Sequence, residues 1–242
     1  IGECALRGQD GNSTGSDNVA IGAMAGCNTT VGCYNTFIGR EAGKNNNTGA
    51  YNTFIGSAAG CQNTGGQFNV FIGKNAGLAN LIGAANVYLG CDAGRYTTGD
   101  FNSFLGRCAG RRITTGCGNV AIGACALSGC TSSFSTGQDN NALGRTAGRC
   151  NINGQGNNFF GASAGDRNTA GNHNNFLGQQ AGFANTDGSN NFFAGRYAGY
   201  GNTSGAHNVI IGCSAGICMS NGNNNIFMGR CAGCCNTVGS NN

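Results

Sequence analysis

The sequence predicts an all-β protein, a parallel β-solenoid (β-roll) of about 14 coils with a 17-residue repeat, forming one repeat domain over residues 1–242. Three observations predict this fold. An Asn opens each of 13 units, and ten of the 12 spacings between successive Asn are 17 residues. Gly follows every such Asn four residues later, and Ala follows it seven residues later. In the first four units these residues are Asn18, Asn35, Asn52 and Asn69; Gly22, Gly39, Gly56 and Gly73; and Ala25, Ala42, Ala59 and Ala76.

Each unit is interpreted from its opening residue, here called the anchor Asn (position 0). The segments that follow it, such as NTFIG and NVFIG, are short, β-branched or aromatic, and bounded by Gly and Asn-Thr, which is typical of strands. Gly at positions +4 and +8 suits corners that need positive φ. A strand, a corner and a return at constant length make one coil. The coils at 86–102 and 119–140 are irregular, and partial coils are expected at both ends of a fragment that opens at Ile1.

Composition excludes several other classes. Gly accounts for 47 of 242 residues, and each Gly costs roughly 1 kcal/mol in a helix, which argues against a helical protein. Pro is absent and Gly does not recur every third residue, which excludes collagen. No run of 18 apolar residues exists, so we expect no membrane insertion.

Columns of equivalent residues should stack at roughly 4.8 Å. The anchor Asn residues can form an amide ladder, and a second Asn column lies at position +11. Positions +2 and +3 are both apolar in most units, although adjacent strand residues face opposite ways. One column should fill the core and the other should form an exposed stripe that a homotrimer would cover. We expect the Ile column inside and the Phe column between subunits; the alternative is a bend that turns both inward.

The segment Asn18 to Gly22 (NVAIG) resembles the head repeats of trimeric autotransporter adhesins, in which a similar strand recurs in a left-handed β-roll. The longer form from Asn52 to Gly60 (NTFIGSAAG) resembles repeats in tail-fibre proteins of phages and large viruses. This resemblance implies a trimeric surface fibre. The 17-residue unit and the 15 Cys favour a viral or other extracellular fibre over an adhesin head.

The Cys residues cluster beside the Ala-Gly corner. Cys108 and Cys125 share a column in successive units, as do Cys218 and Cys235, and one coil of separation suits a disulfide. A metal site near the C-terminal end is the alternative, but a second C-x-x-C at zinc-ligand spacing is absent, so we predict no metal.

Catalysis is not predicted, because no two carboxylates share a column in neighbouring coils. Position +5 carries a broken basic stripe, which is either a solvated edge or a groove for an anionic glycan. Net charge is only +4, which argues against nucleic acid, and no cofactor is expected. The stripe consists of Arg40, Lys74, Arg107, Arg145, Arg196 and Arg230.

The predicted function is therefore a non-enzymatic fibre shaft or head, extracellular or on a virion surface, that serves attachment to a surface glycan or receptor. The alternatives are a glycan-binding or glycan-cleaving tailspike-like module and a self-assembling extracellular filament. The extra residues around Cys130 to Phe134 predict a protrusion and a specific contact.

Overall fold

The computed structural model describes residues 1–7, 14–130 and 134–242. The chain divides into two compact units, Ile1–Gly118 and Asn119–Asn242. Both units are built from the same repeat. The single domain predicted over residues 1–242 stays a prediction.

Every strand in the described part of the chain is three residues long and follows an anchor Asn. The first unit contains β1 to β6 and the second contains β7 to β13. In chain order they are Val19–Ile21, Thr36–Ile38, Thr53–Ile55, Val70–Ile72, Val87–Leu89, Ser103–Leu105, Val120–Ile122, Asn141–Leu143, Asn158–Phe160, Asn175–Leu177, Phe192–Ala194, Val209–Ile211 and Ile226–Met228.

Within each unit, successive strands pair in parallel with equivalent residues opposite each other. Phe37 pairs with Phe54, and Phe176 pairs with Phe193. Backbone hydrogen bonds continue around the corner, where the Gly60 amide donates to the Ala76 carbonyl at 2.9 Å. Parallel neighbours one repeat apart mean that each repeat is one turn of a β-solenoid, which confirms the predicted fold.

The core is a file of aromatic rings from position +2. In the first unit, ring centroids of Phe54 and Phe71 lie 4.8 Å apart, and those of Phe71 and Tyr88 lie 4.6 Å apart. The rings are fully buried, whereas position +3 is half-buried or exposed, as at Leu105 (48% exposed). The expectation that Ile fills the core and Phe lies between subunits was wrong. The buried anchor Asn and position +2 share one face of the strand, since residues two apart point the same way.

The Ala and Gly columns make room for these rings. The Ala side chains at position +7 are fully buried in most coils. Gly60 has φ +55°, and a Cβ there would lie 2.5 Å from the Phe54 ring. Gly56 has φ +133°, and a Cβ there would lie 2.6 Å from the Gly73 carbonyl oxygen of the next coil. The absence of a side chain at Gly60 lets the corner fold over the Phe54 ring. Its absence at Gly56 lets the backbones of neighbouring coils come into contact.

The anchor Asn closes its own coil and joins it to the next. Asn157 Nδ2 donates to the Gly171 carbonyl, 14 residues ahead, at 2.9 Å. Its Oδ1 accepts from the backbone amide of Asn174 at 2.9 Å. A second ladder runs at position +11, where Asn185 Nδ2 donates to Asn168 Oδ1 at 2.6 Å. The predicted asparagine ladder is therefore confirmed.

The shortened coil at 86–102 differs from most other coils at two positions whose side chains lie close together. Tyr88 replaces Phe at position +2, and Thr97 replaces Asn at position +11. Both side chains are buried. The Tyr88 hydroxyl faces Thr97 and Asn102, but no hydrogen bond of normal geometry reaches it. The coil still closes, because Asn86 Nδ2 donates to the Gly99 carbonyl, 13 residues ahead, at 2.9 Å.

Replacement of Tyr88 by Phe should therefore change the free energy of unfolding at pH 7 by less than about 1 kcal/mol, because no normal hydrogen bond is lost. Burial raises the pKa of Tyr88. The folded state thus keeps the phenol protonated, and the wild type should lose stability as pH rises above about 10, the pKa of an unfolded tyrosine. Urea unfolding at pH 7 and pH 11 measures both effects. If Tyr88→Phe lost as much stability as the wild type between pH 7 and pH 11, the alkaline loss could not be assigned to ionisation of Tyr88.

The lengthened coil at 119–140 contains the one disulfide of the described residues. Cys130 is bonded to Cys150 in the next coil, with Cα atoms 4.8 Å apart. The predicted protrusion around Cys130 to Phe134 lies largely outside the described residues, because 131–133 are not among them.

Breaking this disulfide should destabilise the second unit by about 3 kcal/mol, since its loop is about 20 residues long. Cys150→Ser should have a lower urea midpoint than the wild type, and reductant should lower the midpoint of the wild-type protein. Cys218→Ser, which alters an exposed free thiol, is the matched control and should leave the midpoint unchanged. A midpoint that does not respond to reductant would argue against the bond.

No helix among the described residues is long and apolar enough to cross a membrane.

Candidate functional site

The outward face of the strands carries exposed apolar side chains in both units. Positions +1 and +3 point away from the buried ring at position +2. Exposed apolar side chains at these two positions are Val19, Ile21, Val87 and Leu105 in the first unit, and Ile122, Leu143, Phe160, Phe192, Ile226 and Met228 in the second. Monomeric soluble proteins rarely expose contiguous apolar patches of more than a few hundred Å².

A stack of exposed aromatic rings adds to the apolar surface of the first unit. Tyr34, Tyr51 and Phe68 each precede an anchor Asn and adopt positive φ. Their centroids are separated by 5.0 Å and 5.1 Å, with nearly parallel planes. Each side chain is more than half exposed. Stacking between coils fixes the rings, so they offer a preformed row of ring edges.

All six residues of the predicted basic stripe are exposed, three in each unit. They do not share one environment. Arg40 forms an ion pair with Glu41 at 3.2 Å. Arg196 stacks on Tyr197, with Cζ 4.6 Å from the ring centroid. The anionic-ligand role of the stripe stays a prediction.

Several carboxylates in the described residues have structural partners. Glu41 pairs with Arg40 and Lys44, and Asp92 pairs with Arg95 at 3.3 Å. Asp100 accepts from the Ala84 amide at 2.7 Å.

Among the described residues, the most buried carboxylate is that of Asp166, which is 4% exposed. It accepts from Arg149 Nε at 2.8 Å. Burial raises the pKa of Asp166, although Arg149 beside it acts in the opposite direction. The Asp166 carboxylate therefore has a structural role as the ion-pair partner of Arg149.

The predicted cysteine pairs have different outcomes. Cys218 and Cys235 are free thiols, so the bond predicted between them is not formed in the structure. Cys235 instead lies against Cys234, with the two sulfurs 3.6 Å apart. This thiol contact raises the pKa of Cys234. Cys108 lies in the first unit and Cys125 in the second, so their pairing stays a prediction.

The alternative of a C-terminal metal site has no structural support. Within the described ranges, no group of three or more His, Cys, Asp or Glu side chains could hold a metal ion.

An aromatic and arginine cluster in the second unit did not emerge from the sequence analysis. It comprises Arg167, Phe183, Arg196, Tyr197 and Tyr200. Phe183 and Tyr200 stack with centroids 5.1 Å apart, and Tyr197 meets Tyr200 edge-on at 5.8 Å. The Cζ of Arg167 lies 5.1 Å from the centroid of Phe183. The repeat could have revealed it, because Phe183 and Tyr200 both occupy position +9.

A scan against protein-family models and searches of curated proteins and of solved structures found no match to this chain.

Proposed function

We propose that this chain is a non-enzymatic structural module of a surface fibre, in which three copies associate through the outward faces of their strands. The observation that supports it is the outward column at position +3, which is apolar in every strand and exposed at residues such as Leu105, Ile122 and Met228. Burying apolar area contributes roughly 25 cal/mol per Å², so covering this surface favours association.

Three copies are proposed rather than two because the NVAIG strands resemble the trimeric adhesin heads. The resemblance also supports an attachment role on a virion or cell surface. Burial of the position +2 side chains, which are aromatic in most coils, changes which residues are assigned to the interface. The apolar side chains at position +3, and not Phe at position +2, would lie between subunits.

A single charge on this face should dissociate the assembly. Ile122→Lys places an ammonium group on the outward face of β7, where Ile122 is 40% exposed. Burying that charge at an interface without a partner is costly, so the variant should be monomeric. Ile82→Lys makes the same change at a site that is 71% exposed and outside any strand, and it should remain trimeric.

Light scattering after gel filtration measures the molar mass of each protein. The proposal expects three times 24.3 kDa for the wild type and Ile82→Lys, and 24.3 kDa for Ile122→Lys. A monomeric wild type would refute it. A mass that grows with concentration would also refute it and would favour the filament alternative.

A further inference from the structure

The aromatic and arginine cluster forms one connected surface across three successive coils of the second unit. Arg167 lies in the coil opened by Asn157, Phe183 in the next, and Arg196, Tyr197 and Tyr200 in the third. Contacts run without a gap from Arg167 to Phe183, Tyr200, Tyr197 and Arg196. The two guanidinium groups thus flank a surface of three rings, two coils or roughly 10 Å apart along the coil stack.

Neither of these two arginines forms an ion pair at contact distance in the described residues, although the charge of Arg167 acts against burial to lower the pKa of the neighbouring Asp166 carboxyl. Arg40, Arg95 and Arg149 each form an ion pair with a carboxylate. Within the described residues, neither Arg167 nor Arg196 lies within salt-bridge distance of a carboxylate. The nearest acid in sequence to Arg167 is Asp166, which is buried and bonded to Arg149.

The side chains are also preformed and accessible. Both arginines are exposed, and the three rings are half-buried, so their packed parts hold them in place while their remaining surface meets solvent. Arg196 Nη2 donates to the Tyr197 hydroxyl at 3.2 Å, which fixes this guanidinium against its ring. Fixed aromatic and Arg side chains are the groups that dominate binding surfaces, because little entropy is lost when they engage a ligand.

We propose that this cluster binds a carboxylated glycan. The C–H groups of a pyranose ring pack against the outer edges of the stacked Phe183 and Tyr200 rings, and carboxylates on neighbouring sugars accept from Arg167 and Arg196. Arg guanidinium groups bind carboxylates bidentately, which a neutral sugar cannot match. This site rests on the proposed attachment role and names its ligand class. The proposed anionic site is this cluster and not the six-residue stripe. Arg196 is the one residue of the stripe that belongs to the cluster.

Isothermal titration of the full chain with an oligogalacturonate tests the site. Binding is expected, and it should weaken as NaCl is raised. The fully methyl-esterified oligomer of equal length keeps the sugar faces but not the carboxylates, and it should bind at least tenfold more weakly. Equal binding of both oligomers, or no binding of either, would overturn the proposal.

Variants locate the site. Arg167→Gln with Arg196→Gln should lower the affinity at least tenfold, and Tyr200→Leu should also weaken binding. Arg230→Gln, which removes an exposed arginine at the same repeat position as Arg196, is the matched control and should bind as the wild type does. An equal loss in Arg230→Gln, or tight binding of single-stranded oligonucleotide through the same arginines, would contradict a glycan site. Molar mass and urea midpoint of each variant report assembly and folding separately, so failure of the site is distinguishable from failure of the proposed fibre.

Discussion

Phe71→Ala should destabilise the first unit by about 3–5 kcal/mol, the typical cost of deleting a buried aromatic side chain. Phe71 is fully buried between the rings of Phe54 and Tyr88 in adjacent coils. Its loss leaves a cavity that rigid neighbouring coils cannot close, since their backbones already touch at Gly56 and Gly73. The urea midpoint of the variant measures the effect.

Phe68→Ala is the matched control, because it removes the same side chain three residues earlier, where the ring is 57% exposed. We expect it to cost less than about 1 kcal/mol. Equal losses for the two variants would mean that position +2 does not fill the core.

The second large effect is expected for Asn157→Ala, at about 2–4 kcal/mol. This change leaves the buried Asn174 amide without its acceptor and removes one of the two hydrogen bonds to the Gly171 carbonyl, which keeps its bond from Asn168 Nδ2. Each buried group deprived of its hydrogen bond costs about 1–3 kcal/mol. Urea unfolding measures the loss, and hydrogen exchange at the Asn174 amide should accelerate.

Asn153→Ala serves as the control for this prediction. Asn153 is exposed, and the described part of the chain shows no hydrogen bond from its side chain. Its removal should shift the midpoint by less than about 0.5 kcal/mol. Similar effects at both positions would argue that the anchor Asn does not close the coil.

The repeat allowed the coil, its register and both irregular coils to be predicted, because equivalent residues must stack once the length of a turn is constant. The inward column was misassigned, although one signal was available. A buried amide ladder at position 0 requires position +2 to share its face, so Phe71 follows Asn69 into the core. Apolar character alone could not distinguish Phe71 from Ile72.

The disulfide and the aromatic cluster were missed for a different reason. Counted forward from their anchors, Cys130 stands at position +11 and Cys150 at position +10, so the lengthened coil places the two bonded residues in different columns. The cluster joins positions +5, +6, +9 and +10 of three coils, and the contact between Arg167 and Phe183 depends on side-chain reach. A search of single columns finds the stripe that contains Arg196 and the pair of rings at position +9, but not the contacts that join these columns to Arg167.

Hydroxyl-radical footprinting read by mass spectrometry tests most directly which face of the strand is inside and which is covered by other copies. In the Ile122→Lys monomer, Leu105 and Met228 should be labelled while Phe71 stays protected. In the wild type, Leu105 and Met228 should become protected, and Ile82 should be labelled equally in both proteins. Labelling of Phe71 in the monomer, or equal labelling of Leu105 and Met228 in both proteins, would contradict the account.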